Sequence, residues 1–479
     1  MSRLSRARLP LAAMIAASLL SAGALAATPG NDPQALARVR DGALAGGWAY
    51  ERLGDMTDLI GPRLSGSAGA AAAVTQVADA MRKLGAKVTL QAVKVPHWVR
   101  GQETAELVAY AGRPAGITQR VVLSALGGSG ATPAAGLTAE VMVVHDFDEL
   151  QARKGEVKGR IVLFDVPFDQ RMAEGGQASQ AYRQAGRYRY GGPPAAAALG
   201  AAAVLIRSVG GADFRLPHTG TSGLAEGARI PAAAVSSEDA MLMARLLKRG
   251  PLSLHLTLTP QILPDADSFN VIADWPGTDL ADEVVIVSGH LDSWDLGTGA
   301  NDDGTGVASA MGVIETLKRL DYRPRRTIRV IAWMNEENGG RGAKAYFEAN
   351  KALAGKHFAA IENDGGSGYM LGIRASVGPQ AAPLFDPLRT ALQAIGAGAF
   401  QRHDVLGSGD LTEIEEAGVP VFEPLINATA YFNYHHTAAD TLDKVNREDF
   451  QRHVAWMSTT AWYLANMAQP IGRSAVPAK

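Results

Sequence analysis

No cysteine occurs anywhere in the 479 residues. That excludes disulfides, every thiolate metal site and the lipid-modified cysteine of a lipoprotein. An exported chain can use disulfides, so without them this one must rely on core packing. Positive charge is not in excess either: 46 Lys and Arg stand against 48 Asp and Glu. A nucleic-acid partner wants a basic domain, so no nucleic-acid partner is expected. Beyond the N-terminus no run is long and apolar enough to span a membrane. Internal repeats and long low-complexity tracts are missing too.

What is present is ordinary globular material, 47% hydrophobic and 20% charged, in a length that allows two or three domains at roughly 100–200 residues each. The first residues read as a secretory signal peptide over 1–26. Arg3, Arg6 and Arg8 form its basic end, "LPLAAMIAASLLSAG" its apolar stretch and Ala24-Leu25-Ala26 its cleavage pattern. Cleavage takes the formal charge from −2 to −5 and leaves no membrane partner. Export, an Ala/Arg-rich composition and the lack of cysteine suggest a bacterial periplasmic or secreted protein.

The texture then changes twice. Residues 27–116 begin helical and end in the alternating strand "AKVTLQAVKVPHWVRG". Residues 117–265 carry short buried strands such as "GRIVLFDV" and "AAAVLIRS" and no dense set of metal-type residues. This reads as an inserted small β-rich domain whose ends, "GGSGATPAAG" and "TPQILPDADS", are composed like linkers. From 266 to 470 strands alternate with helices, and 471–479 form a tail. The predicted fold class is α/β, a mixed, mostly parallel sheet sandwiched by helices, with the insert added.

Ligand-type residues fall where such a sheet would use them. His290 and Asp292 follow "VVIVSG", Glu336 and Glu337 follow "TIRVIAWMN", and Asp364 follows "HFAAIEN". The crevice of an open α/β sheet lies at the carboxyl ends of its strands. Singly, each pattern is commonplace: an H-x-D, an "NDDG" turn, a Glu pair, a double His. Together they crowd like charges that need a cation to neutralise them. Carboxylates with imidazoles and no thiolate suit zinc or a related ion. His290, Asp302, Glu337, Asp364 and one of His435 or His436 are too many for a single catalytic ion, so two ions sharing a bridging carboxylate fit better. The two late histidines are adjacent, so only one is expected to point easily into the site. A dinucleotide loop is the rival for the glycines, but its third glycine would fall on Asp302, and an acid there repels a pyrophosphate.

"GHLDSWDLGTGANDDGTG", "WMNEENGGRGA", "IENDGG", "GSGDLTEIEEAGVP" and "YHHTAADT" closely resemble the M28 family of co-catalytic metallopeptidases, over most of the mature chain. The insert resembles a protease-associated (PA) domain. The resemblance implies two zinc ions per chain: His290 and Asp364 on one, Glu337 and His436 on the other, and Asp302 bridging both, with His435 as the fallback. It implies Glu336 as general base, and Asp292 and Asp440 as carboxylates orienting His290 and His436. Ser408, Gly409 and Asp410 of "GSGD" would line the substrate pocket, with Tyr431 or Tyr434 near the site. Close relatives point to a homodimer. The PA-like insert could bind partners, cover the crevice or support dimerisation.

The implied activity is a zinc exopeptidase acting on short peptides. Aminopeptidase, dipeptidase and carboxypeptidase action stay open, and release of N-terminal residues from a free amino terminus is the expected one. A one-zinc glutaminyl cyclase-like acyltransferase and a non-catalytic receptor-like protein are the rivals. The complete ligand set argues against both.

Overall fold

A computed structural model describes residues 30–211 and 214–472. The expected signal peptide and residues 473–479 lie outside the described residues. Among the described residues no helix is long and apolar enough to cross a membrane.

The architecture is mixed α/β, with two eight-stranded sheets. The first runs in the order Lys87–Val99, Gln261–Trp275, Arg326–Trp333, Leu280–His290, His357–Glu362, Val421–Ile426, Met370–Ser376 and Ala399–His403. Its central four strands, Arg326–Trp333 to Val421–Ile426, are mutually parallel. Their carboxyl ends therefore open on one edge. The sheet is covered on both faces because its middle strands are apolar on both. Val285 and Val287 pack with Met311 and Trp456 from the helices Thr305–Arg319 and Arg447–Asn466. The alternate residues Ile286 and Ile331 pack with Tyr346 of Arg341–Asn350.

The second sheet takes its strands from Glu103 to Leu258 and mixes three parallel with four antiparallel pairings. Both ends of this segment return through one antiparallel ribbon, Lys87–Val99 against Gln261–Trp275. The stretch "TPQILPDADS", expected as a linker, is mostly the first half of that long strand. Its Pro264 made it look like a loop. The proline is tolerated because the register shifts there, opposite Val95–His97, and a bulge does not ask for every N–H. Three strands of the first sheet, Met370–Ser376, Ala399–His403 and Val421–Ile426, have no clear signal in the sequence. Each is short, and Gly372 and Pro424 interrupt two of them.

One loop locks the two sheets together. Trp294 is buried in the core of the second sheet beside Trp98 and Leu64. It sits on Gly127, where any Cβ would lie 2.1 Å from the indole. Its neighbour Asp295 receives both arms of Arg100, at 2.8 and 2.6 Å. Arg100 also donates to Glu103 and to the Ala125 carbonyl. Asp295 is thus a structural tie and not a ligand.

Candidate metal centre

The four parallel strands deliver the site. Leu280–His290 ends on His290 itself. Nδ1 of His290 donates to the Asp292 carbonyl at 2.9 Å. A carbonyl only accepts, so Nδ1 carries a proton and Nε2 is the nitrogen left to face a metal. That Nε2 is 3.1 Å from Asp302 Oδ1 and 3.4 Å from Asp364 Oδ1. Arg326–Trp333 leads to Glu336 and Glu337, His357–Glu362 to Asp364, and Val421–Ile426 to the short helix Tyr431–Tyr434 and then His435 and His436.

Asp302 stands at the centre. Its Oδ1 faces His290, and its Oδ2 lies 3.2 Å from His436 Nε2. His436 Nε2 is also 3.0 Å from Glu337 Oε2. Ligand atoms of His290, Asp302 and Asp364 lie within 4.8 Å of one another, and so do those of Asp302, His435 and His436. The two trios share only Asp302. Glu337 Oε1 is buried without a hydrogen-bond partner. This donor set, two imidazoles and three carboxylates around one shared aspartate, fits two divalent cations of the zinc type.

Both late histidines point inward, contrary to the expectation that only one would. His435 has φ −47° and ψ 125°, and His436 has φ 61°. This sharp turn stacks the two rings 3.6 Å apart instead of splaying them. His435 Nε2 is 3.4 Å from Asp302 Oδ2. Only His436 is also paired with Glu337, which makes it the better ligand of the two.

Asp292 and Asp440 do not orient the imidazoles through their carboxylates. The Asp292 carboxylate accepts from the backbone N–H of Asn335 and of Glu336, at 2.7 and 3.1 Å. It therefore fixes the chain that carries Glu336. The Asp440 carboxylate accepts from the N–H of Asn301 and of Asp302, at 2.8 and 3.0 Å. Asp440 thus holds Asp302 in place. The imidazoles are oriented by carbonyls, Asp292 for His290 and Thr219 for His436, the latter at 3.1 Å.

Burial sets the electrostatics. It pushes the Glu337 carboxyl up to about 7, with Asp302 adding repulsion, and the Glu362 carboxyl up to about 8 beside Asp364. Glu336 is raised well above the usual range by burial and by Asp364 and Glu337. Burial alone would raise Asp302 as well, but His435, His290 and His436 outweigh it and hold the carboxyl well below its ordinary value.

The Gly407–Asp410 loop divides. Gly409 faces the site, where a Cβ would lie 3.3 Å from Glu336 Oε1. Ser408 Oγ donates to Glu362 at 2.8 Å and lines a cavity of about 410 Å³ that reaches Asp364. Asp410 is not a pocket residue. Its carboxyl is buried with neither oxygen hydrogen-bonded, and burial next to Glu362 and Glu336 raises its pKa well above the ordinary value. Tyr431 lines the main cavity, of about 680 Å³, together with Asp302, Glu336 and Glu337. Tyr434 does not.

Three contributors left no mark in the sequence. Arg63, fully buried, donates to the carbonyls of Leu291, Gly61, Thr298 and Gly299. It clamps the loop between His290 and Asp302. Burial lowers its pKa to about 10, and Asp440 and Asp292 oppose that shift. Thr219 and Thr221 come from the second sheet's segment. The Thr221 hydroxyl donates to the Glu337 carbonyl at 2.8 Å.

Such a shared-aspartate site with a glutamate beside it is what a metal-dependent hydrolase needs. Residues 270–461 match the family described as Peptidase family M28. The chain is 35% identical over 432 residues to "Carboxypeptidase Q" of Mus musculus, covering 89% of this chain and 87% of that protein. The crystal structure of a peptidase M28 precursor from Shewanella amazonensis superposes with a TM-score of 0.86 at 34% identity, covering 93% of this chain and 99% of that one. A zinc aminopeptidase from Bacillus subtilis shares the fold, with a TM-score of 0.61 at 22% identity over 87% of this chain and 94% of its own. The chain belongs to peptidase family M28.

Proposed function

We propose that the protein is an exported two-zinc exopeptidase that releases N-terminal residues from short peptides, dipeptides included. The observation that carries this reading is the position of Glu336. It lines the same cavity as Asp302, Glu337, Asp364 and His436, and its backbone is pinned by Asp292. His290 and Asp364 would hold one ion, His436 and Glu337 the other, and Asp302 both. Bound there, the ions would acidify a water and polarise the peptide carbonyl.

The chain's own groups supply the rest. Glu336, which neither ion needs as a ligand, lines the cavity where it would take a proton from the attacking water and return it to the leaving amine. Asp292 keeps the Glu336 backbone in place, and Asp440 does the same for Asp302. Export rests on the N-terminal signal pattern.

Removal of C-terminal residues is the competing reading, favoured by the name of the relatives. For a dipeptide the two describe the same bond, so tripeptides separate them. Tripeptides with free and with acetylated amino termini, with the products identified, test the proposal. The free-amine tripeptide should lose its first residue and the acetylated one should survive. Steady trimming of the acetylated tripeptide from its carboxyl end, with no action on the free one, would overturn it.

A further inference from the structure

The two metal positions are braced from different parts of the chain. In the two-zinc reading above, Glu337 and His436 are the unshared ligands of one ion. Both are tied to the segment that builds the second sheet. The Thr221 hydroxyl donates to the Glu337 carbonyl at 2.8 Å. Thr219 grips His436 at two points. Its N–H donates to the His436 carbonyl at 2.9 Å, and its own carbonyl accepts from His436 Nδ1 at 3.1 Å. The Gly211 N–H donates to the Phe432 carbonyl at 3.1 Å, which holds the turn that leads to the histidine.

His290 and Asp364, the unshared ligands of the other ion, have no such tie. Among the described residues neither makes a hydrogen bond to the second sheet's segment. The His290 Nδ1 and N–H both end within its own loop, on the Asp292 carbonyl and the Asp303 carboxylate. Trp294 does pack on Gly127 of that segment, but it lies beyond His290 in the loop and is not a ligand.

The grip on His436 and Glu337 is itself anchored. Thr219 Oγ1 donates at 2.8 Å to the carbonyl of Ala125, the last residue of the strand Leu123–Ala125. The Gly127 N–H donates to the Gly220 carbonyl, and the Ser222 N–H to the Gly127 carbonyl, both at 2.9 Å. Residues 219–222 therefore move with the second sheet. The fit is also tight: a Cβ on Gly210 would lie 2.5 Å from the Phe432 carbonyl oxygen.

We infer that the second sheet's segment controls occupancy of one metal position, that of His436 and Glu337, through Thr219 and Thr221 as positioning residues. The His290–Asp364 position answers to the first sheet. The inference rests on the two-zinc reading and makes the two positions unequal. Partners that fix a metal ligand carry roughly 10–100-fold in metal affinity. Thr221 acts through the main chain of Glu337, so the low end of about 10-fold applies. A shift of the second sheet against the first would loosen one ion and keep the other.

The test is competition with a zinc chelator, read as zinc retained per chain, on wild type, Thr221→Val and Thr221→Ser. In Thr221→Val one of the two ions should leave about 10-fold more easily, and the other should leave as in wild type. Thr221→Ser keeps the hydroxyl and should restore the wild-type curve, whereas a loss caused by packing would persist. In His436→Ala, the remaining ion should be held equally well with and without Thr221→Val. If both ions loosen in Thr221→Val, or neither does, the inference is overturned and the peptidase reading stands. Failure of Thr221→Ser to restore the curve, or a loss on adding Thr221→Val to His436→Ala, overturns it too. One zinc or none in wild type overturns the two-zinc reading, and this inference with it.

Discussion

Replacing Arg63 by Met should loosen the metal centre without touching a single ligand. The side chain keeps its bulk and loses its donors. Four carbonyls lose a donor: Leu291 at 2.8 Å, Thr298 at 2.6 Å, Gly299 at 2.9 Å and Gly61 at 3.3 Å. Gly299 still accepts from the Gly304 N–H at 3.0 Å. An unsatisfied buried acceptor costs about 1–3 kcal/mol. The low end of that range over the other three is about 3 kcal/mol. Removing a buried cation returns part of it, so the net loss should be about 1–3 kcal/mol. Three of the four carbonyls belong to the loop that joins His290 to Asp302, so metal affinity should fall roughly 10–100-fold. Competition with a zinc chelator measures the affinity, and urea unfolding with and without metal measures the stability. Arg63→Lys, with donors on one atom only, should fall between. Wild-type zinc affinity together with a stability change under about 0.5 kcal/mol in Arg63→Met would refute the clamp.

Other perturbations separate the roles within the site. Glu336→Gln should lower kcat by roughly 10²–10⁴ while zinc content stays at the wild-type level, as measured by elemental analysis alongside the assay. His436→Ala, which removes the only imidazole paired with Glu337 among the described residues, should cost one zinc per chain. His435→Ala should keep both, by the same count. His453 is fully buried, its Nε2 meets the Gly368 carbonyl at 2.7 Å, and burial lowers its pKa to about 4. The unfolded chain takes the proton first, so this group's contribution to stability is complete above about pH 6.5 and is lost as pH falls from there toward 4. Urea unfolding should show a slope about 1.4 kcal/mol per pH unit shallower in His453→Gln over that window.

Much of the centre was legible because a parallel sheet exposes its strand ends. His290, Glu336, Glu337 and Asp364 each follow a strongly apolar run, and such a run fixes where a chain leaves the core. Asp302 shares the loop of His290 and was legible with it. The histidine pair was not settled, because residue spacing alone cannot show that His436 takes φ 61°. The orienting groups were misread for a related reason. A carboxylate near a ligand histidine is an obvious partner on paper, but backbone carbonyls of Asp292 and Thr219 do that work. Thr219 acts from more than two hundred residues away from His436. Nothing in the local pattern of a β-rich segment links it to a metal loop. Arg63, alone in a Gly/Ser/Pro turn, carried no periodicity to read.

The account stands or falls on Asp302 as a shared ligand. Zinc counted per chain by elemental analysis, on wild type and Asp302→Asn, tests that most directly. Two zinc ions in wild type and a loss of at least one in the variant are predicted. A single zinc in wild type, unchanged in Asp302→Asn, would contradict it.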